Sequence, residues 1–227
     1  MTGPLYDMLS SIPNSSLTEK VYQMLRQAIL ERKIQPGEKL NLDALAKTFN
    51  TSRTPVTYAL KRLAFEGLVE IKERKKTSVI NLTPEMIQET FDLRRVLEVY
   101  AAEQAVKFVT GEEISSLRDL AAEMEREADY SKFLDQDRRF HENFIDIARN
   151  NKLTAIYRSL HVHSQVMIEC YLRPDKRIEA TLIEHQRMIE LLEKRELEPL
   201  IELIKDHIEL VKGNLLKKPD GSKADPE

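Results

Sequence analysis

Apolar positions along this chain recur with two different periods. From residue 17 onward the commoner spacing is three to four residues, that of a helix with one buried face. Val21, Leu25, Ala28 and Ile29 form the first such stripe, opening at Leu17-Thr18-Glu19 with Thr18 as its cap and ending before the turn signal Gln35-Pro36-Gly37. Leu42, Leu45, Ala46 and Phe49 mark a second helix over residues 42–49. A tight turn at Asn50-Thr51 leads to a third helix at about residues 53–66, with Val56, Leu60 and Leu63 on one face. Ser52 stands where its hydroxyl can cap that helix. Pro55 falls in its first turn, where a missing N–H costs nothing, and Gly67 closes it. The pattern then turns β-prone at Leu68-Val69-Glu70-Ile71 and again at Ser78-Val79-Ile80-Asn81-Leu82, on either side of a basic loop, residues 72–77. Helix, helix-turn-helix and two short strands around a loop predict a winged helix-turn-helix over residues 17–82.

From Thr83 the strand pattern is absent. Thr83-Pro84-Glu85 opens a helix with a cap, an N1 proline and an acidic first turn. Helices are predicted at residues 84–109, 112–128, 130–149, 151–172, 175–194 and 197–216. Short connections between long amphipathic helices predict an antiparallel bundle. The fold class is therefore mainly α: an N-terminal winged helix-turn-helix plus a C-terminal antiparallel all-α bundle over residues 83–217. Residues 1–16, with Pro4, Pro13 and Ser10-Ser11, read as an extension, and residues 218–227 as a polar, disordered tail.

Composition adds a division of labour. Low glycine (6 in 227 residues) and 32% charged residues suit a soluble helical protein. Residues 17–82 carry 13 Lys and Arg against 7 Asp and Glu, whereas residues 83–227 carry 22 against 30. A basic unit joined to an acidic one implies that only the first meets a polyanion. Cys170 is the single cysteine, so no intramolecular disulfide forms, which fits a reducing cytoplasm. No leader pattern and no apolar run approaching the ~18 residues of a membrane span are present.

Two patches carry candidate chemistry. Arg53, Thr57 and Lys61 lie four apart on the polar face of the third helix, with Thr54 and Tyr58 beside them; a cationic, hydroxyl-bearing face suits the major groove of double-stranded DNA. Arg74 and Lys75 sit at the tip of the basic loop behind it. In the bundle, Asp137 and His141 are i,i+4 beside the apolar Phe140, Phe144 and Ala148. His185 and His207 each lie on the apolar stripe of a later helix. One carboxylate and three imidazoles facing inward suit Zn²⁺, Ni²⁺, Mn²⁺ or Fe²⁺; the alternative is a set of hydrogen-bonded core histidines. Arg94 and Glu98 interrupt the stripe Ile87, Phe91, Ala101, Ala105. They read either as an intrahelical ion pair or as an arginine that clamps a ligand carboxylate. His161 and His163 read as ordinary residues, the alternative being that one of them faces the cavity, since they sit two apart on one helix and point different ways; Tyr100, Tyr157 and Tyr171 read as core.

The string Pro36-Gly37, Leu45-Ala46, Ser52-Arg53-Thr54-Pro55-Val56, Ala59-Leu60, Leu63, Glu66-Gly67-Leu68-Val69 resembles the GntR family of bacterial transcription regulators over residues 17–82. The bundle resembles the FCD-type effector domain. The resemblance implies that the third helix enters the major groove, that Arg53 and Thr54 contact DNA, and that the wing tip reaches the minor groove. It further implies a divalent metal on Asp137, His141, His185 and His207, with Arg94 facing the effector cavity. Two departures stand out: Thr57 occupies a position where the family usually has arginine, and Arg74-Lys75-Lys76 replaces a glycine-bearing wing tip. The expected function is a cytoplasmic, ligand-responsive regulator that binds a palindromic operator as a homodimer and responds to a small organic acid. The alternatives are a metal-dependent hydrolase and a regulator whose metal is purely structural.

Overall fold

The computed structural model describes residues 17–31, 33–72, 76–171 and 178–217. The extension and the disordered tail expected from the sequence, and the wing tip with Arg74 and Lys75, lie outside the described residues. The chain divides into two compact units between Asn81 and Leu82.

The first unit contains α1 (Leu17–Leu30), α2 (Leu42–Thr48), α3 (Arg53–Phe65), β1 (Val69–Lys72) and β2 (Lys76–Val79). Val21, Tyr22, Leu25 and Ile29 of α1 are buried, as are Val56, Ala59, Leu60 and Leu63 of α3, and the two helices pack together. Thr18 lies inside the first turn of α1 rather than capping it. Ser52 occupies the N-cap backbone position of α3, extended at φ −75° and ψ 167°, but its side chain makes no capping bond. The end of α3 behaves as its glycine implies. Gly67 adopts φ +77°, its N–H donates to Ala64 O, and Leu68 N–H donates to Leu63 O. That pair of bonds satisfies the last carbonyls of the helix and turns the chain into the wing.

β1 and β2 pair antiparallel with Val69 opposite Val79 and Lys72 opposite Lys76. The second strand thus begins two residues earlier than expected and excludes Ile80, Asn81 and Leu82. The reason is a partner that alternation cannot show. Residues 37–40 run along β2, with Gly37 N–H donating to Val79 O, Leu40 N–H to Thr77 O and Val79 N–H to Glu38 O. The loop after α1 therefore supplies a third edge to the wing.

Among its described residues the second unit consists of helices and the short connections between them: α4 (Pro84–Phe108), α5 (Gly111–Arg126), α6 (Tyr130–Asp146), α7 (Asn151–Tyr171), α8 (Ile178–Glu193) and α9 (Leu197–Leu216). Their starts are built from local chemistry. Thr83 Oγ1 accepts from Met86 N–H ahead of Pro84. Thr110 and Glu113 form a reciprocal capping box. Asp129 accepts from Lys132 N–H, and Asn150 from Lys152 and Leu153 N–H. At the far end of α4, the Arg195 guanidinium donates to Val106 O and Val109 O, closing carbonyls the helix leaves open. α4 packs against α9, α7 and α6, α5 against α6 and α8, and α8 against α9. One continuous apolar core results, running from Ile87 and Phe91 of α4 to Ile208 and Leu215 of α9.

Candidate DNA-reading surface and metal centre

In the first unit, the buried stripe of α3 forces its other face outward. Arg53, Thr54, Tyr58 and Lys61 are exposed and Thr57 is half-buried, so the five predicted contact residues share one solvent-facing surface. Two are already engaged. Thr57 Oγ1 donates to Arg53 O at 2.8 Å, so its proton stays within the helix. Arg53 Nε pairs with Asp43 in the first turn of α2. Both partners are exposed, and such a pair contributes at most about 1 kcal/mol. It holds the guanidinium, whose fork of donors a guanine O6/N7 edge can accept, on the exposed face.

In the second unit, the interior is charged where a helix core is usually apolar. Arg94 and Glu98 are only 2% and 1% exposed. Arg94 Nε donates to Glu98 Oε1 at 2.9 Å, and Nη2 lies 2.8 Å from the same oxygen. Tyr157 Oη also donates to Glu98 Oε1, at 2.9 Å. The other carboxylate oxygen, Oε2, lies 3.4 Å from His141 Nδ1. Burial opposes the Glu98 charge, yet Arg94 foremost, and then His141, hold its carboxyl well below the usual carboxylate range. Burial and the neighbouring Glu98 push the Tyr157 hydroxyl well above its ordinary value.

Around His141 the predicted metal ligands converge. His141, His185 and His207 are all buried, and one ring nitrogen from each lies within 4.8 Å of the others. Asp137 Oδ1 is 3.6 Å from His185 Nε2 and 3.9 Å from His141 Nε2. His185 stacks on Phe140 with ring centroids 4.0 Å apart. α6 supplies Asp137 and His141, α8 supplies His185 and α9 supplies His207, so three helices meet here. A divalent ion fits this set on one observation above all. His141 Nε2 is buried with no hydrogen-bond partner among the described residues, a costly state for a polar atom unless something else accepts its lone pair. Nitrogen donors with one carboxylate suit a borderline metal better than the all-oxygen preference of Ca²⁺ or Mg²⁺.

Several neighbours went unread in the sequence. Gln165 Nε2 donates to Asp137 Oδ2 at 3.1 Å and lies 3.3 Å from His161 Nε2. His161, expected to be ordinary, is fully buried, lies tilted against the Tyr157 ring at 4.9 Å and meets His141 edge-on at 5.6 Å. Burial first, and then Arg94, hold His161 well below its ordinary pKa, so the ring is neutral. Its Nδ1 is buried without a hydrogen-bond partner among the described residues. Glu184 Oε2 lies 2.5 Å from His207 Nδ1. The i,i+4 spacing of His161 and Gln165 was a usable signal; Glu184 gave none. Tyr100, expected in the core, is exposed on α4, and the side chain of Tyr171 lies outside the described residues.

Comparison with known proteins bears on both units. The signature described as bacterial regulatory proteins, gntR family, matches residues 17–79, and that of the FCD domain matches residues 89–210. The HTH-type transcriptional regulator YdhC of Bacillus subtilis is 28% identical over 180 residues, 77% of this chain and 80% of that protein. The gluconate operon transcriptional repressor of Bacillus licheniformis is 26% identical over 199 residues, 84% of this chain and 82% of its own length. Among solved structures, E. coli McbR/YncC aligns with a TM-score of 0.68 at 19% identity, covering 90% of this chain and 99% of that one. At that identity the likeness concerns the fold.

Proposed function

The chain belongs to the gntR family of bacterial regulatory proteins and carries an FCD domain, and from that premise we propose a repressor that binds a palindromic operator as a homodimer and is modulated by a small carboxylate near a divalent metal. Its families and relatives are DNA-binding transcription regulators and not enzymes, which sets the hydrolase alternative aside. The observation that carries the sensing part is the meeting of His141, His185 and His207 with Asp137 inside the bundle.

The charge balance of that site supports an anionic effector. Glu98 already neutralises Arg94, so Arg94 alone offers little net attraction to an anion. A bound divalent ion supplies a positive, Lewis-acidic centre for a carboxylate. His161 Nδ1, buried and unpartnered among the described residues, then offers a neutral donor beside it. The Gln165 amide faces His161 Nε2, which accepts from it, and this leaves the ring proton on Nδ1. Arg94 contributes through its long-range field and through whichever donors Glu98 leaves free.

On DNA, Arg53, Thr54, Thr57, Tyr58 and Lys61 read the major groove, and Arg74 and Lys75 add phosphate contacts from the wing. One recognition helix covers only a half-site, which requires two copies. The second copy docks on α4, where Leu93, Val96 and Tyr100 form an apolar stripe 55%, 61% and 42% exposed, opposite the buried face of the same helix. Effector binding acts only through a difference in affinity between two arrangements of the heads, with the link at residues 82–84 as the joint. No described helix is long and apolar enough to cross a membrane, and the reading places the protein in the cytoplasm with its DNA.

The test is selection of bound fragments from random DNA by the full chain, followed by anisotropy on the enriched sequence. A two-fold symmetric site bound by two chains is expected, with Arg53→Ala costing about 1–3 kcal/mol and relaxing one base position per half-site. Enrichment of no sequence, or an unchanged preference in Arg53→Ala, contradicts the reading.

A further inference from the structure

We infer that Glu98, Glu184 and Gln165 are positioning residues that decide which atom of His141, His207 and Asp137 faces the metal. The inference rests on the metal reading above and adds to it the groups behind the ligands.

The geometry is the same in three places. Three of the four candidate ligands have one polar atom held from behind by a residue of a different helix. His141 has Nδ1 at 3.4 Å from Glu98 Oε2 of α4, and its Nε2 is the atom left without a hydrogen-bond partner among the described residues. His207 of α9 has Nδ1 at 2.5 Å from Glu184 Oε2 of α8. Asp137 of α6 has Oδ2 at 3.1 Å from the Gln165 amide of α7, while Oδ1 is the oxygen that approaches His141 and His185. A carboxylate can only accept, so each imidazole facing one must donate through Nδ1–H. The lone pair is thereby confined to Nε2. The same logic orients Asp137: Gln165 occupies one oxygen and leaves the other for the ion. Such outer partners fix the tautomer and raise ligand basicity.

Glu98 has a second connection. It is bound by Arg94 and Tyr157 as well, so the ring of His141 is tied to the most buried cation of the unit. Glu98 is therefore poorly suited to a clean substitution, because its loss strands Arg94. Glu184 is partly exposed and serves as the principal variant, with Gln165→Ala as the second.

The experiment measures the Zn²⁺ dissociation constant of the full chain by competition with a chromophoric chelator. It is paired with long-range ¹H–¹⁵N spectra of the histidine rings and with the melting temperature of the metal-stripped chain. Glu184→Ala and Gln165→Ala are each expected to weaken Zn²⁺ binding about 10- to 100-fold. The metal-stripped melting temperature should move little, which a merely structural role would not predict. Zinc-loaded wild type should show His141 and His207 protonated at Nδ1 and coordinated through Nε2. Unchanged affinity in both variants, or coordination through Nδ1 in the wild type, overturns this inference alone. Absence of Zn²⁺ binding by the wild type overturns the metal reading itself, and this inference with it.

Discussion

Tyr22 shows how one residue can tie two distant parts of the sequence together. Its hydroxyl donates to both oxygens of Glu66 at 2.7 and 2.8 Å, and the Arg62 guanidinium lies 3.7 Å over its ring, so α1 is fastened to the end of the recognition helix. Burial, and then the Glu66 carboxylate, push its pKa up to about 12. A raised value of this kind contributes stability that is complete below the ordinary value of 10 and disappears as pH climbs through about 12. Tyr22→Phe should therefore lower the stability of the N-terminal unit by about 1.5 kcal/mol at neutral pH, read as a shift of the urea midpoint. At the same scale, Asp137, His141, His185 and His207 were legible because each sits on an apolar stripe of its own helix, where a polar residue is conspicuous. Glu184, Gln165 and the hub role of Glu98 were not. Their partners lie on other helices, and helical periodicity says which face a residue occupies but not what stands opposite it.

At the scale of elements, four of the bundle helices begin where side-chain oxygens meet orphan N–H groups, and those signals are local enough to read directly. Thr110 and Glu113 satisfy one another's backbone at the start of α5; Thr110→Ala should cost about 1 kcal/mol, measurable in thermal melts of the full chain. Ser52 carries the same residue preference, yet its hydroxyl makes no such bond: the helix begins after it on the strength of the buried stripe of Val56, Ala59, Leu60 and Leu63. The wing strands shifted for a different reason. Residues 37–40 complete the ladder on β2, a pairing between segments some forty residues apart that alternation within one strand cannot encode. Arg195 likewise stands in the left-handed region at φ +58° and reaches back to the end of α4, a contact across 86 and 89 positions.

At the scale of the whole molecule, the charge asymmetry separates a unit that meets DNA from one that encloses a site. In the proposed reading two copies come together on a palindrome, and the Leu93–Val96–Tyr100 stripe is the seam. Val96→Glu places a charge in the middle of it and should raise the dimer dissociation constant about tenfold or more, with operator affinity falling in parallel; sedimentation velocity reads the first and anisotropy the second. The most direct test of the sensing account is native mass spectrometry of the full chain, metal-stripped and then given Zn²⁺, alongside His185→Ala. One retained ion per chain in the wild type, lost in His185→Ala with its helical circular dichroism unchanged, is the predicted result. No retained ion in the wild type, or equal retention in His185→Ala, would contradict it.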